Sequence, residues 1–375
     1  MINIPFNNPY VTGRELTYIR EVIESGKTSA GGRFTERCEA LIRQHTGASN
    51  VLLTNSCTAA LEMAAILVGT GPDDEIIMPS FTFPSTANAF LLRGARPVFV
   101  DIRHDTLNID ETLIEAAITS RTKAIIAVHY AGIPCEMDTI MAIAKKHDLY
   151  VIEDAAQAFL SSYKGKYAGT IGHLGTFSFH ATKNIHCGEG GALLVNHSEF
   201  LKNAEILREK GTNRKDFLAG KVEKYTWSGL GTSSSLGELA AAYLCAQLEG
   251  AREITSRRAA HWNSYDAVLK GLRTNGEIST PFIPPTAQHN SHIYYVLFPS
   301  REKRDDIVKA GKSAGIECTS HYEPLHLSPE GLLYSREPSL PNSTTLPGRV
   351  LRLPLWPGLP ENCIQTMTAI IGTRQ

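Results

Sequence analysis

Residues 151–192, VIEDAAQAFLSSYKGKYAGTIGHLGTFSFHATKNIHCGEGGA, decide the reading of this chain. The segment sets Asp154 at the end of the apolar run LYVIE, and Lys183 between a second apolar run, GTFSF, and the glycines Gly188, Gly190 and Gly191. Parallel α/β sheets place ligand-binding groups just beyond the carboxyl ends of their strands. Glycine there permits backbone conformations and approaches that a side chain would block. A carboxylate and a lysine so placed suit pyridoxal phosphate, whose aldehyde needs an amine to bond and whose ring nitrogen needs an anion to keep its proton. Gln157, one helical step after Asp154, is placed to hydrogen-bond a phenolic oxygen.

Outward from this segment, short apolar runs alternate with amphipathic ones: NVLLT, TAALEMAAILVG, DEIIMPS, ARPVFVDI, TLIEAAI, KAIIAVHY, MDTIMAIAKKH, LYVIED and GALLVN. The rhythm predicts an α/β domain with a mostly parallel sheet, its strands apolar throughout because helices cover both faces. Met137, Ile140, Met141 and Ala144 form one apolar stripe and are assigned to core packing. A long helical stretch at 236–258 and the break PFIPP lead toward a smaller α+β unit. In it HIYYVLF and 316–319 read as strands and EKRDDIVKAGKSAG as a helix. Residues 328–347, rich in Pro, Ser, Gly and Asn, read as a surface loop.

The 375 residues exceed a usual single core, so two domains are expected, 1–250 and 251–375. The formal net charge is −1, so no overall positive charge points to nucleic acid or an anionic membrane. Seven scattered cysteines without a Cys-x-x-Cys pair argue against a disulfide framework and a structural zinc, and for a reduced, cytoplasmic setting. No stretch approaches the roughly 18 apolar residues of a spanning helix.

Further candidates stand at the ends of apolar runs. VLLTNSCTAALEMAA reads as a strand, a small-polar turn and a helix start, where the amides of Cys57 and Thr58 and the Ser56 or Thr58 hydroxyl could hold a phosphate. A helix start also favours a lowered Cys57 thiol pKa, although no catalytic partner accompanies it. Of the two aromatics in MPSFTFPST, Phe81 and Phe83, one could stack on a flat ring. His129 and His180 each end an apolar run, and Arg208, Lys210, Arg214 and Lys224 could meet a diphosphate.

The combination of NSCTAALEMAA, MPSFTFPSTANAF, IEDAAQ, TFSFHATKN and GEGGALLVN resembles, nearly end to end, the DegT/DnrJ/StrS family of sugar-nucleotide aminotransferases. GKTSAGGRFTERC, MDTIMAIAKKH, LREKGTNR, KYTW and HYEPLH add a likeness to the branch that aminates C4 of dTDP-4-keto-6-deoxy-D-glucose. The resemblance implies the α/β architecture called fold type I, aspartate aminotransferase-like: a large domain with a mostly parallel mixed sheet and a small C-terminal α+β domain. It implies pyridoxal 5'-phosphate, with pyridoxamine phosphate as its intermediate form, and no metal. Lys183 would bond the cofactor aldehyde and Asp154 would pair with the ring nitrogen. Gln157 would contact the ring hydroxyl, Phe83 would stack, and Cys57, Thr58 and Ser178 would grip the phosphate. His321 matches a position near the substrate, and His129, His180, Arg208 and Lys210 join it as substrate candidates.

The partners so implied are a nucleotide-diphosphate sugar, L-glutamate as amino donor, and a second copy of the chain in a homodimer with shared sites. Ser233, in GLGTSSSLGELAAA, stands where many members carry an asparagine that reaches the partner's cofactor phosphate. Three rivals are weaker. Sugar dehydratases of the family can replace the lysine by histidine, a non-catalytic regulator has no need of the full Asp154, Gln157 and Lys183 set, and nicotinamide binding lacks a Gly-x-Gly-x-x-Gly turn.

Overall fold

The computed structural model describes residues 4–335 and 339–373. Strands β1 (Val51–Thr54), β2 (Glu75–Pro79), β3 (Arg96–Val100), β4 (Thr122–Val128) and β5 (Tyr150–Asp154) come first. The short pair β6 (Ser162–Tyr163) and β7 (Lys166–Tyr167) follows, then β8 (Leu174–Ser178) and β9 (Gly191–Val195). Seven of these form one sheet in the order β1-β9-β8-β5-β4-β2-β3. β9 runs antiparallel to both neighbours, while β8, β5, β4, β2 and β3 pair in parallel.

The strands are buried on both faces because alternate side chains feed different cores. Ile76 and Met78 pack with the helices Cys57–Leu67 and Pro84–Leu91, whereas Ile77, between them, packs with Met137, Ile140 and Ala144. Met141 lies at the edge of that second cluster, so the stripe read from the sequence does face the core. A third cluster joins Val51, Leu53 and Phe177 to the helices Arg33–Thr46 and Glu238–Glu249. Parallel pairing brings the carboxyl ends of β4, β5 and β8 to one edge, where Val128 lies opposite Asp154, and Asp154 opposite Thr176.

A separate core is built from the helices Ala251–Thr274, Arg301–Ser313 and Glu361–Thr373 on a two-stranded sheet. That sheet pairs Tyr294–Leu297 with Val350–Leu353 antiparallel; with the two-residue Ala287–Gln288 numbered β10, these are β11 and β12. Ile4 joins this core and bridges Ile316. The helix Ala251–Thr274 serves both units, with Ala251 and Ile254 in one core and Trp262, Tyr265 and Leu269 in the other.

Four details differ from the sequence reading. The helix expected over 236–258 is two, divided at Gly250, and the second runs to Thr274. Residues 316–319 make only single bridges, Ile316 to Ile4 and Thr319 to Arg352. β12 was not foreseen. The segment 328–347 is no simple surface loop, because it holds the helix Pro341–Thr345 and buries Leu340, Ser343 and Leu346, with Asp101 accepting from the Asn342 and Ser343 amides; its residues 336–338 lie outside the described residues. All seven cysteines are free thiols. Among the described residues no helix is long and apolar enough to cross a membrane.

Candidate active site

At the carboxyl edge of the sheet a cavity of about 1310 Å³ opens between the two cores. Asp154 reaches it from the end of β5, buried at 5% exposure. Its Oδ2 accepts from the Thr86 hydroxyl at 2.8 Å and its Oδ1 from the Ala156 amide at 3.2 Å. Because an ionised carboxylate only accepts, Thr86 must donate to it and in turn accept from Thr82, whose hydroxyl lies 2.8 Å away. Thr82, on the turn after β2, and Thr86, in the first turn of the helix Pro84–Leu91, thus aim the carboxylate.

Lys183 lies on the turn between β8 and β9, which is closed by Phe179 N–H to Gly190 O, Ala181 N–H to Gly188 O and Lys183 N–H to His180 O, each 2.8 Å. Gly188 sits at φ +83°, where a side chain would strain the turn. Lys183 is half-buried in the cavity wall, and its amine pKa is lowered, chiefly by burial, with Cys57 and Asp154 opposing and Arg352 reinforcing. Burial of this kind makes a lysine a better nucleophile.

The helix Cys57–Leu67 begins at the same edge. The Ser56 hydroxyl accepts from the Ala59 amide at 3.0 Å and so caps the helix, keeping its own proton to donate toward the cavity that Ser56 lines. The amides of Cys57 and Thr58 have no acceptor within the helix, and both residues line the cavity with Ser178. The Thr58 hydroxyl donates to Ser85 at 2.8 Å. The Cys57 thiol is not activated, as its position had suggested: burial, then Asp154, pushes its pKa up to about 12. Here desolvation outweighs the helix start.

Gln157 lines the cavity from a turn, not from the helix expected after Asp154. Its Oε1 accepts from the Ala131 amide at 2.6 Å, and its Nε2 donates to the Tyr322 hydroxyl at 2.8 Å. Phe83 presents its ring to the same space, 55% exposed, with its centroid 5.8 Å from that of Tyr322. His321 lies in the wall with Nδ1 2.7 Å from the Tyr130 hydroxyl, and burial, with Arg352 and Lys183, holds its pKa well below the usual value. His180, at the rim, shares a 2.8 Å contact with the Thr182 hydroxyl.

Of the remaining sequence candidates, His129 lines the cavity with its ring engaged elsewhere, and the others lie outside it. His129 is fully buried; its Nδ1 accepts from the Cys135 amide at 3.1 Å, so Nε2 carries the proton and donates to Glu153 at 2.9 Å, leaving no nitrogen for a substrate. Arg208 is turned away from the cavity and paired with Glu39 at 2.7 Å, a largely buried ion pair that fixes the helix Leu201–Arg208 to the edge of β1. Lys210, Lys224 and Ser233 are exposed outside this chain's cavity, and Arg214 faces Glu209 at 3.7 Å. Among the described residues no cluster of His, Cys, Asp or Glu is arranged to hold a metal.

The structure adds residues the sequence reading passed over: Thr82, Thr86, Tyr322, Arg258, His292 and Arg352. For Arg352 a signal was present, a lone cation inside the apolar run VLRLPLW. Tyr322 and His292 had none, since their placement depends on the small unit folding back on the sheet.

The sequence model of the DegT/DnrJ/EryC1/StrS aminotransferase family matches residues 9–371. The spore coat polysaccharide biosynthesis protein SpsC of Bacillus subtilis is 33% identical over 368 residues, covering 96% of this chain and 94% of its own. The GDP-perosamine synthase of Caulobacter vibrioides is 33% identical over 323 residues, covering 86% and 85%. The crystal structure of S. venezuelae DesV in complex with a ketimine intermediate matches with a TM-score of 0.88 and 32% identity, covering 96% of this chain and 94% of that one. With sheet, cavity and sequence in agreement, the chain belongs to the DegT/DnrJ/EryC1/StrS aminotransferase family, the pyridoxal phosphate-dependent sugar aminotransferases of fold type I.

Proposed function

We propose that this enzyme moves the amino group of L-glutamate to C4 of a dTDP-4-keto-6-deoxyhexose, giving a 4-amino-4,6-dideoxyhexose nucleotide, galacto or gluco, for a cell-surface polysaccharide. The observation that carries the reading is the convergence of Asp154, Lys183, the Cys57 and Thr58 amides and Phe83 on one cavity. Those groups match the cofactor part by part: anion for ring nitrogen, amine for aldehyde, amides for phosphate, aromatic face for ring. Bound pyridoxal phosphate supplies an aldehyde that takes up nitrogen and a protonated ring that draws electrons from the reacting carbon.

The chain's own residues do the rest. Asp154, held by Thr86, keeps the proton on the ring nitrogen. Lys183 would hold the cofactor at its aldehyde, and its amine is the group that would move a proton at the reacting carbon. Ser178 and the helix amides hold the phosphate, Phe83 covers the ring, and Gln157 keeps its second amide hydrogen for the ring hydroxyl. His321 and His180 face the sugar. His129, with both ring nitrogens engaged, and Arg208, paired with Glu39, are given no part in holding the sugar.

A cytoplasmic homodimer completes this reading. Trp227 is 84% exposed, and Phe217, Leu218, Tyr225 and Leu230 are exposed beside it in sequence, an apolar segment suited to a second copy. It carries Ser233 and Lys210 at its base, and both would then serve the neighbour's pocket. The deciding experiment is incubation of the holoenzyme with dTDP-4-keto-6-deoxyglucose and L-glutamate. One 2-oxoglutarate per amino sugar, with nitrogen on C4 by NMR, is the expected result; ammonia release or nitrogen on C3 overturns it.

A further inference from the structure

Asn184 follows the lysine directly, and its side-chain amide is engaged on both sides. Its Nδ2 donates to the Asn290 carbonyl at 2.8 Å, which leaves Oδ1 facing Nδ1 of His292, also at 2.8 Å. An amide oxygen only accepts, so Nδ1 carries the imidazole proton. Asn290 staples the segment in place: its Nδ2 donates to the Gln157 and Phe159 carbonyls, each at 2.9 Å, and its Oδ1 accepts from the His292 amide at 3.1 Å. Arg258, 3% exposed and without a carboxylate partner among the described residues, donates to the His292 carbonyl at 2.6 Å and to that of Ser291 at 3.2 Å. Burial first, then the charges of Lys183 and Arg258, hold the His292 pKa well below its usual value, so the ring stays neutral and Nε2 keeps a bare lone pair.

Neither Nε2 of His292 nor the Lys183 amine has a hydrogen-bond partner among the described residues, and neither atom is sealed inside the protein. Both residues line the main cavity. Both also wall a second, narrow space of about 10 Å³ behind it, shared with Gln157, Ser178, Asn184 and Asn290, which admits one water at most. The neighbouring acceptors are already engaged, Asp154 by Thr86 and Gln157 Oε1 by the Ala131 amide. We propose that His292 is a positioning residue for Lys183, its Nε2 taking a hydrogen bond from the lysine amine, directly or across the one water that the space admits; this rests on the transaminase reading above. No bond between heavy atoms forms or breaks, and the neutral imidazole accepts the hydrogen bond without removing the proton. With one N–H tied back in this way, the amine's lone pair is turned toward the main cavity, the orientation that moving a proton at the reacting carbon requires.

The test has two arms. In the first, ¹⁵N NMR of the histidine-labelled apoenzyme reads the His292 ring, its signals identified by their absence from His292→Gln. A neutral ring protonated at Nδ1, with an Nε2 signal that moves in Lys183→Ala, is the expected result; a proton on Nε2, or an Nε2 signal indifferent to Lys183→Ala, overturns the pairing. In the second, single turnovers of the holoenzymes with L-glutamate compare wild type, His292→Asn, which keeps a donor toward Asn184 but nothing at the Nε2 position, and His292→Gln, which restores an acceptor there. At saturating donor His292→Asn should be about tenfold slower, the worth of one hydrogen bond. Its slowing should come with a larger isotope effect for glutamate deuterated at the α-carbon, and His292→Gln should recover most of the rate. An unchanged rate in His292→Asn, a loss in KM alone, or equal losses in both variants would each overturn the assignment. A wild-type holoenzyme that leaves glutamate unreacted refutes the transaminase reading and the role in proton movement with it, a result the NMR arm keeps distinct from failure of the pairing.

Discussion

Gly191→Ala tests the cofactor-phosphate end of the site through packing alone. Gly191 opens β9 directly against the turn that starts the helix Cys57–Leu67. A Cβ built there lies 2.6 Å from the Ser56 carbonyl oxygen, and nearer still to the Cys57 nitrogen and the Ser56 carbonyl carbon. Ordinary contact begins at 3.4 Å, so strand and helix start must part by about 1 Å to clear the closest of these atoms. All three neighbours are backbone, and none can swing aside. Overpacking of this kind costs about 1–3 kcal/mol of stability. The shift also pulls the Cys57 and Thr58 amides off the phosphate, and each weakened charge-assisted hydrogen bond costs about 1.5–3 kcal/mol. We expect the pyridoxal phosphate affinity of the apoenzyme to fall by at least tenfold, measured by absorbance titration, with a lower urea midpoint and the Lys183-linked chromophore still forming at saturating cofactor. Wild-type affinity and wild-type stability together would refute the placement of the phosphate at this helix start.

Three further outcomes follow from other parts of the molecule. Lys183→Ala should bind the cofactor without the visible absorbance of the covalently linked form and should lose turnover; normal turnover by the purified variant would remove Lys183 from its role. Arg208→Gln leaves Glu39 without its partner in a mostly buried pair, a change that costs on the order of 3–5 kcal/mol. Urea unfolding should show that loss while the sugar KM of the folded enzyme stays put, and a raised KM with unchanged stability would restore Arg208 to the diphosphate. For pH, burial lowers His289 from 6.5 to about 4. The unfolded chain therefore binds the extra proton first, so stability should fall as pH drops from 6.5 toward 4. His289→Gln should flatten that decline in urea melts taken across the window, and an identical slope in both proteins would exclude this histidine as its source.

The order of strands and helices around the large sheet was legible because burial on both faces writes continuous apolar runs, and Asp154 and Lys183 were legible because such runs must end at the sheet edge. Gly250 hid a helix break inside a good helical pattern, as a single glycine costs a helix only about 1 kcal/mol and carries no fixed meaning alone. β12 was missed since Val350–Leu353 is short and carries an arginine, and only its partner Tyr294–Leu297 makes it a strand. His129 and Gln157 show the other limit: each stood at the right place along the chain, yet its hydrogen-bond partners came from segments distant in sequence, Glu153 for one and Tyr322 for the other.

Local periodicity and the ends of apolar runs thus determined, from the sequence alone, which residues reach the sheet edge. Only the tertiary structure decided which of them keep a free polar atom there. Desolvation and hydrogen-bond satisfaction depend on neighbours across the whole molecule: they raised the Cys57 thiol, consumed both nitrogens of His129 and tied Arg208 to Glu39. The same neighbours left Nε2 of His292 without a partner beside an open cavity.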